Sequence, residues 1–368
     1  MDECADKLWG LKCVASTDKI EARAPTASSS LPPALQREKT RQTDSTYFKS
    51  AHWTADGTTI VSNSADNCLR TFVLPPDLLD GKAGAHFLTP YHATLSREPI
   101  YSVALYPFFS LQDTSTTILL SSIREHPIRL TSALYPGLIS SYSLISPTTE
   151  AVITPHSILY PETLGGTKFL TGSDSLICVF DVSRPGKDGP ISRLPTIPSK
   201  RRKMVGGGIG MKGIISTLAD NPSGDGIVAA GTFTRQVGLY AGNGSGDTIA
   251  IFGVGATEAE HHIGGKGITQ LLWSPCGRYL YVAERKSDGM LVYDIRVTGR
   301  LVGWLKGRKA MTNQRLYADM VPGHGSEMHE IWAGGTDGCV RMWKHAAQFE
   351  GETRPTWERK IHDGSIPR

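Results

Sequence analysis

Little in this chain supports a disulfide framework, a membrane anchor or a helical bundle. Its six cysteines, Cys4, Cys13, Cys68, Cys178, Cys276 and Cys339, include no Cys-x-x-Cys pair. Neither a zinc site nor a stapled secreted domain is therefore indicated, and reduced thiols in the cytosol or nucleus are expected. No stretch approaches the ~20 apolar residues of a membrane span. Met1 to Leu11 carries Asp2, Glu3, Asp6 and Lys7 around no apolar core, so a soluble, unsecreted protein with no membrane partner is expected. Without a leader, the glycosylation triplet Asn243-Gly244-Ser245 reads as chance. The formal charge of +4 is too small to name a polyanionic partner unless the basic residues cluster.

Catalytic signatures are equally sparse. There is no Gly-x-Ser-x-Gly elbow and no His-Glu-x-x-His pair. Gly208, Gly210 and Gly213 fit Gly-x-Gly-x-x-Gly, but Ile214 to Leu218 reads as a strand where a dinucleotide fold needs a helix. Gly264-Gly265-Lys266-Gly267 lacks the upstream glycine and the Ser or Thr of a phosphate loop and reads as a turn between repeats. His261-His262 and His329-Glu330 have no third ligand at metal spacing. No enzyme, cofactor, metal or small-molecule substrate is predicted.

What the chain has is punctuation. Thirty-nine glycines and 22 prolines break it into short apolar runs, the pattern of many strands joined by turns. Residues 1–46 include Ala24-Pro25-Thr26-Ala27-Ser28-Ser29-Ser30, Pro32-Pro33 and a charged run from Arg37 to Arg41, and are expected to be a disordered tail. From residue 47 a unit recurs: an apolar strand, a turn, a strand ending in small residues, a polar turn, then a strand ending in an aromatic. One copy runs Thr269-Gln270-Leu271-Leu272-Trp273, Ser274-Pro275-Cys276-Gly277, Tyr279-Leu280-Tyr281-Val282-Ala283 and Leu291-Val292-Tyr293-Asp294. Aligning the third strands puts Phe72, Thr131, Phe180, Tyr240, Tyr293 and Trp343 in register, 49 to 60 residues apart. Phe180-Asp181 and Tyr293-Asp294 keep a degraded Trp-Asp dipeptide.

A four-stranded sheet has two apolar faces that become buried only when blades stack around an axis. An all-β fold is predicted over residues 47–368, a WD-repeat β-propeller of six recognisable blades. The ring closes with six, or is a seven-bladed ring cut short where Asp363 to Arg368 begins a further strand. Phe48 and Trp53 are assigned to its core.

More specific text begins at Asn63-Ser64-Ala65-Asp66-Asn67-Cys68-Leu69-Arg70 and Leu74-Pro75-Pro76-Asp77-Leu78. It continues through Ser121-Ser122-Ile123-Arg124-Glu125-His126-Pro127-Ile128, Ser183-Arg184-Pro185-Gly186, Gly213-Ile214-Ile215-Ser216, Val237-Gly238-Leu239-Tyr240 and Thr312-Asn313-Gln314-Arg315. Over residues 47 to 344 the chain resembles the telomerase Cajal body protein family of WD-repeat proteins. The resemblance implies a nuclear RNA scaffold that holds small nuclear or Cajal body-type RNA, including telomerase RNA, with ribonucleoprotein proteins as partners. Fungal relatives point instead to pre-mRNA splicing.

In a propeller the turns between second and third strands and the connections between blades share one face, where ligands dock. Those segments carry Arg124, His126, Arg235, Arg285, Lys286, Asn313 and Arg315, which are predicted to grip RNA. Arginine suits this because its planar fork binds phosphates and guanine edges and its face stacks on unpaired bases. Each cation alone reads more readily as surface solvation; their convergence, with the family resemblance, carries the prediction. Lys200-Arg201-Arg202-Lys203, in a long connection beside glycines, is either a nuclear localisation signal, a phosphate-gripping arm or a solvated run. A protein-only adaptor binding an acidic peptide of a nuclear complex is the competing reading.

Overall fold

A computed structural model describes residues 12–17, 46–80, 84–198, 210–323, 328–347 and 350–363. Six antiparallel sheets follow one another along the chain, one for each predicted repeat. Blade 1 runs Phe48–Trp53, Thr59–Ser64, Cys68–Val73, His92–Leu95, and blade 2 runs Ile100–Leu105, Ile118–Ile123, Ile128–Ser132, Leu138–Tyr142. Blade 3 is Ser157–Leu159, Lys168–Ser173, Leu176–Asp181, Ser192–Pro195, and blade 4 is Ile215–Asp220, Val228–Thr232, Gln236–Tyr240, Thr248–Gly253. Blade 5 contains Ile268–Trp273, Tyr279–Glu284, Ser287–Asp294, Arg300–Ala310, and blade 6 contains Ala318–Pro322, His329–Gly334, Cys339–Lys344, Trp357–Lys360. The result is an all-β, six-bladed propeller, and every aligned third-strand residue from Phe72 to Trp343 lies in a third strand. Ile214 to Leu218, weighed above against a dinucleotide helix, enters blade 4 as a strand.

Two segments add to this plan. Of the residues read as a tail, the structure describes 12–17, where Ala15–Thr17 pair in parallel with His86–Leu88. Gly351–Thr353, from blade 6, pairs in parallel with the outer strand of blade 5, and a Cβ at Gly303 would meet the Gly351 backbone. Among the described residues no helix is long and apolar enough to cross a membrane.

The small residues that end each second strand have a packing reason. Strands crowd together near the axis, so the innermost strand of the next blade must fit against them. A Cβ at Gly231 would lie 2.7 Å from the Ile268 side chain, and one at Gly172 would lie 2.5 Å from Ile215. Inner-strand serines bond across the same contacts, Ser157 Oγ donating to the Ile215 carbonyl at 2.9 Å and Ser216 Oγ to that of Ile268 at 2.5 Å.

Buried apolar clusters fill the spaces between successive blades. Val61, Ile100 and Leu119 join blades 1 and 2; Tyr142, Phe169 and Phe180 join 2 and 3. Leu170, Ile215 and Tyr240 join blades 3 and 4, Val237, Trp273 and Tyr293 join 4 and 5, and Tyr281, Ile331 and Trp343 join 5 and 6. The third-strand aromatic therefore packs towards the preceding blade.

Trp53 corrects the core assignment. It stands in the register position that Trp273 holds in blade 5, each facing the third-strand aromatic through one intervening residue, Ile60 or Leu280. Trp273 is 7% exposed with its indole N–H on the Ala219 carbonyl of blade 4, whereas Trp53, on the face turned away from blade 2, is 58% exposed. Phe48 is half-buried, edge-on to Phe72 at 6.1 Å between ring centroids. Trp53→Ala should accordingly change the free energy of urea unfolding by no more than ~0.5–1 kcal/mol, far below the ~3–5 kcal/mol of a core tryptophan.

Candidate nucleic-acid interface

The turns between second and third strands are bonded to the inter-blade connections, which fixes both on one face. Arg124 N donates to the Pro99 carbonyl at 3.0 Å, Phe233 N to Ile214 at 3.1 Å, Arg285 N to Gly267 at 3.0 Å and Lys286 N to Thr312 at 2.8 Å. The Gly264 to Gly267 segment is thus an inter-blade turn held against the blade 5 turn. Several of these tight turns place one non-glycine residue at positive φ, among them Glu125 (φ 59), Arg235 (φ 65) and Lys286 (φ 51). Such backbone is uncommon outside glycine, and here the flanking hydrogen bonds enforce it.

The predicted cations separate into groups. Arg285 and Arg315, thirty positions apart in the chain, meet at Phe233 of blade 4: their guanidinium carbons lie 4.8 Å and 5.4 Å from its ring centroid. Backbone carbonyls hold both, since Arg285 Nε donates to Lys266 O at 3.0 Å and Arg315 Nη1 to Ser216 O at 3.3 Å. Neither makes an ion pair among the described residues, so their charge is not neutralised locally. Lys286 and Asn313 are exposed beside them, joined through the bond from Lys286 to Thr312. Arg124 and His126 share the face at blade 2; Arg124 Nε lies 3.2 Å from Glu125 Oε1, and His126 Nδ1 is 2.7 Å from the Arg124 carbonyl. Lys200, Arg201, Arg202 and Lys203 lie outside the described residues.

Arg235 is the correction in this set. Its Nε and Nη2 grip both oxygens of Glu284 at 2.8 and 3.1 Å, and Nη1 meets Glu260 Oε1 at 2.6 Å. With its donors committed to two carboxylates, it fastens blade 4 to blade 5 and to the helix Glu258–Ile263 rather than facing a ligand. Burial pushes the Glu284 carboxyl above its ordinary range, opposed by Arg235, while the Arg235 bond holds Glu260 below its own. The same substitution of structure for binding recurs at Asp66–Arg70 (2.5 Å) and Asp337–Arg341 (2.5 Å), buried clamps spaced four residues apart in blades 1 and 6.

A cavity of about 890 Å³, within the range that binds ligands, lies along the first strands of blades 1 and 2 and the connection from blade 5 to blade 6. Its lining includes Arg315, predicted from the sequence, together with Lys49, Asn63, Tyr101, His156 and Tyr317, which were not. Tyr101 and His156 stack at 4.7 Å between centroids with planes 11° apart. Burial, then the Arg315 charge, lowers the His156 pKa, so this imidazole is neutral at pH 7 and serves as a flat ring. The run that begins at Asn63 and the run that ends at Arg315, both quoted above, touch this lining; the aromatic residues Tyr101, His156 and Tyr317 carried no such signal. Among the described residues no three or more His, Cys, Asp or Glu side chains are grouped to hold a metal.

No family model matches the chain. Curated proteins do. Telomerase Cajal body protein 1 of Mus musculus is 31% identical over 310 residues, 84% of this chain and 53% of that protein. Guanine nucleotide-binding protein negative regulator 1 of Schizosaccharomyces pombe is 30% identical over 313 residues, 84% of this chain and 73% of that protein. The chain belongs to the telomerase Cajal body protein family of WD-repeat proteins. Protein SWT21 of Vanderwaltozyma polyspora is similar at 24% identity over 80% of this chain and 66% of its own length. The chain spans about half the length of the mammalian telomerase Cajal body proteins it matches.

Proposed function

We propose that the chain is a non-enzymatic nuclear scaffold that holds single-stranded RNA across this face. Its ligand class is small nuclear or Cajal body-type RNA, and its partners are the proteins of the corresponding ribonucleoprotein, in assembly, localisation or splicing. The observation that carries the reading is the Arg285–Phe233–Arg315 group. Two guanidinium forks without ion-pair partners among the described residues are pre-oriented by an aromatic ring and by backbone carbonyls, so little side-chain entropy is lost when they take phosphates. Lys286 and Asn313 extend the strip. Family membership supports the same reading, because relatives are named for telomerase and Cajal bodies.

A protein-only adaptor for an acidic peptide is the second reading, favoured by the fission yeast relative named as a regulator of a guanine nucleotide-binding protein. Purification from nuclear extract separates the two. Ribonuclease treatment of the captured complex is expected to release its partners, and ultraviolet crosslinking to leave short RNA on the propeller. Partners retained after ribonuclease, with no crosslinked RNA, would replace the RNA reading by the adaptor.

A further inference from the structure

We propose that the cavity receives one unstacked base of the bound RNA, so that the face grips phosphates outside and reads a base within. This rests on the RNA reading above and assigns it a second subsite. The Asn63 side chain, next to last in the second strand of blade 1, is 6% exposed and lines the cavity, yet its Oδ1 has no hydrogen-bond partner among the described residues. The corresponding position in blade 2 is Ser122, whose hydroxyl is spent on the Pro155 carbonyl at 2.6 Å. A buried, unbonded acceptor costs free energy until a donor reaches it.

Three chemical demands then converge. The Asn63 oxygen asks for an N–H, which a phosphate or carboxylate does not have. The stacked Tyr101 and His156 pair and Tyr317 ask for a flat ring. Arg315 at the wall asks for an attached anion, and Lys49, elsewhere in the lining, is half-buried with its Nζ 3.4 Å from Asn67 Oδ1. A base on its phosphodiester meets all three, its Watson–Crick edge donating to Asn63, its ring against the aromatic pair and its phosphate at Arg315. An acidic peptide supplies a carboxylate and backbone N–H donors, but without an aromatic side chain it has no flat ring for the stacked pair.

The test uses the full chain and short single-stranded RNAs carrying one 2-aminopurine, whose fluorescence falls when the base stacks. Binding is expected to quench the probe at one position of the oligonucleotide. Asn63→Leu and Tyr101→Leu should each weaken binding about tenfold without changing the slope of log K against log salt, because neither contacts phosphate. Urea unfolding of each variant confirms an intact fold; Asn63→Leu removes no bond that Oδ1 makes. If RNA binds but the probe stays bright at every position, or both folded variants bind as the wild type does, base insertion is wrong and the phosphate strip stands. If the wild type binds an acidic peptide and no RNA, both fall.

Discussion

Replacing Arg235 with alanine should cost about 3–5 kcal/mol of folding free energy, the loss expected when one partner of a buried ion pair is removed. The Glu284 side chain is 2% exposed and would be left with no cation against it, so at neutral pH it must either hold an uncompensated charge or take up a proton. Arg235 also ties the helix Glu258–Ile263, through Glu260, to the turn of blade 4, so blades 4 and 5 loosen together. The dependence on pH has a definite sign. Glu284 has a raised native pKa, so its contribution is present below the ordinary carboxyl value and is lost as pH rises through the native one. Without Arg235 that pKa moves further up and the loss deepens. Glu260 has a lowered native pKa, so its contribution is present above the ordinary value and disappears in acid; the variant lacks it altogether. Both effects make the deficit of Arg235→Ala smallest in acid, below the ordinary carboxyl range, and largest at neutrality. Urea unfolding at several pH values measures it. A deficit independent of pH would mean that lost packing, not uncompensated charge, sets the cost. Arg235→Leu combined with Glu284→Leu should recover much of the stability, since an apolar pair leaves no buried charge behind.

The double variant Arg285→Glu, Arg315→Glu should weaken RNA binding by at least about a hundredfold in ~0.1 M salt, because each lost charge-assisted bond is worth roughly 1.5–3 kcal/mol and reversal adds repulsion. The slope of log K against log salt should flatten by about 1.4, from ~0.7 per phosphate contact to a single strand. Stability should fall far less than for Arg235→Ala, since each side chain gives up a bond to a backbone carbonyl and strands no buried carboxylate. Arg→Lys at both positions should preserve the slope but reduce affinity, because the ammonium keeps the charge and loses the fork and the stacking face. A folded double variant with wild-type affinity and slope would remove Arg285 and Arg315 from the site. Fluorescence anisotropy across a salt series reads both quantities at once.

How far the chain could be read differs from residue to residue. Six strand-turn-strand units were legible because a blade's periodicity is local: Phe180, Tyr240, Tyr293 and Trp343 announce themselves by register, and each is buried. The face carrying Arg285, Lys286, Asn313 and Arg315 was legible for the same reason, since the turns between second and third strands and the connections between blades emerge on one side of a propeller. Arg235 looked like its neighbours in the alignment of turns. Its partners Glu260 and Glu284 lie 25 and 49 positions onward, in a helix and in the next blade, so nothing local distinguished a clamp from a free cation. Phe233 was passed over because its importance is to be near two arginines from other parts of the ring.

Composition, periodicity and turn chemistry by themselves determined an all-β propeller, its six blades, the strand each aromatic occupies and the face where its loops gather, because those properties depend on contacts within one repeat. Which tryptophan is covered, which arginine is paired to carboxylates, and which polar side chains line a common cavity were decided only by the packing of blade upon blade. Trp53 and Trp273 share one register position and have opposite fates, since burial is set by what the neighbouring blade presents and the repeat itself does not encode its neighbour.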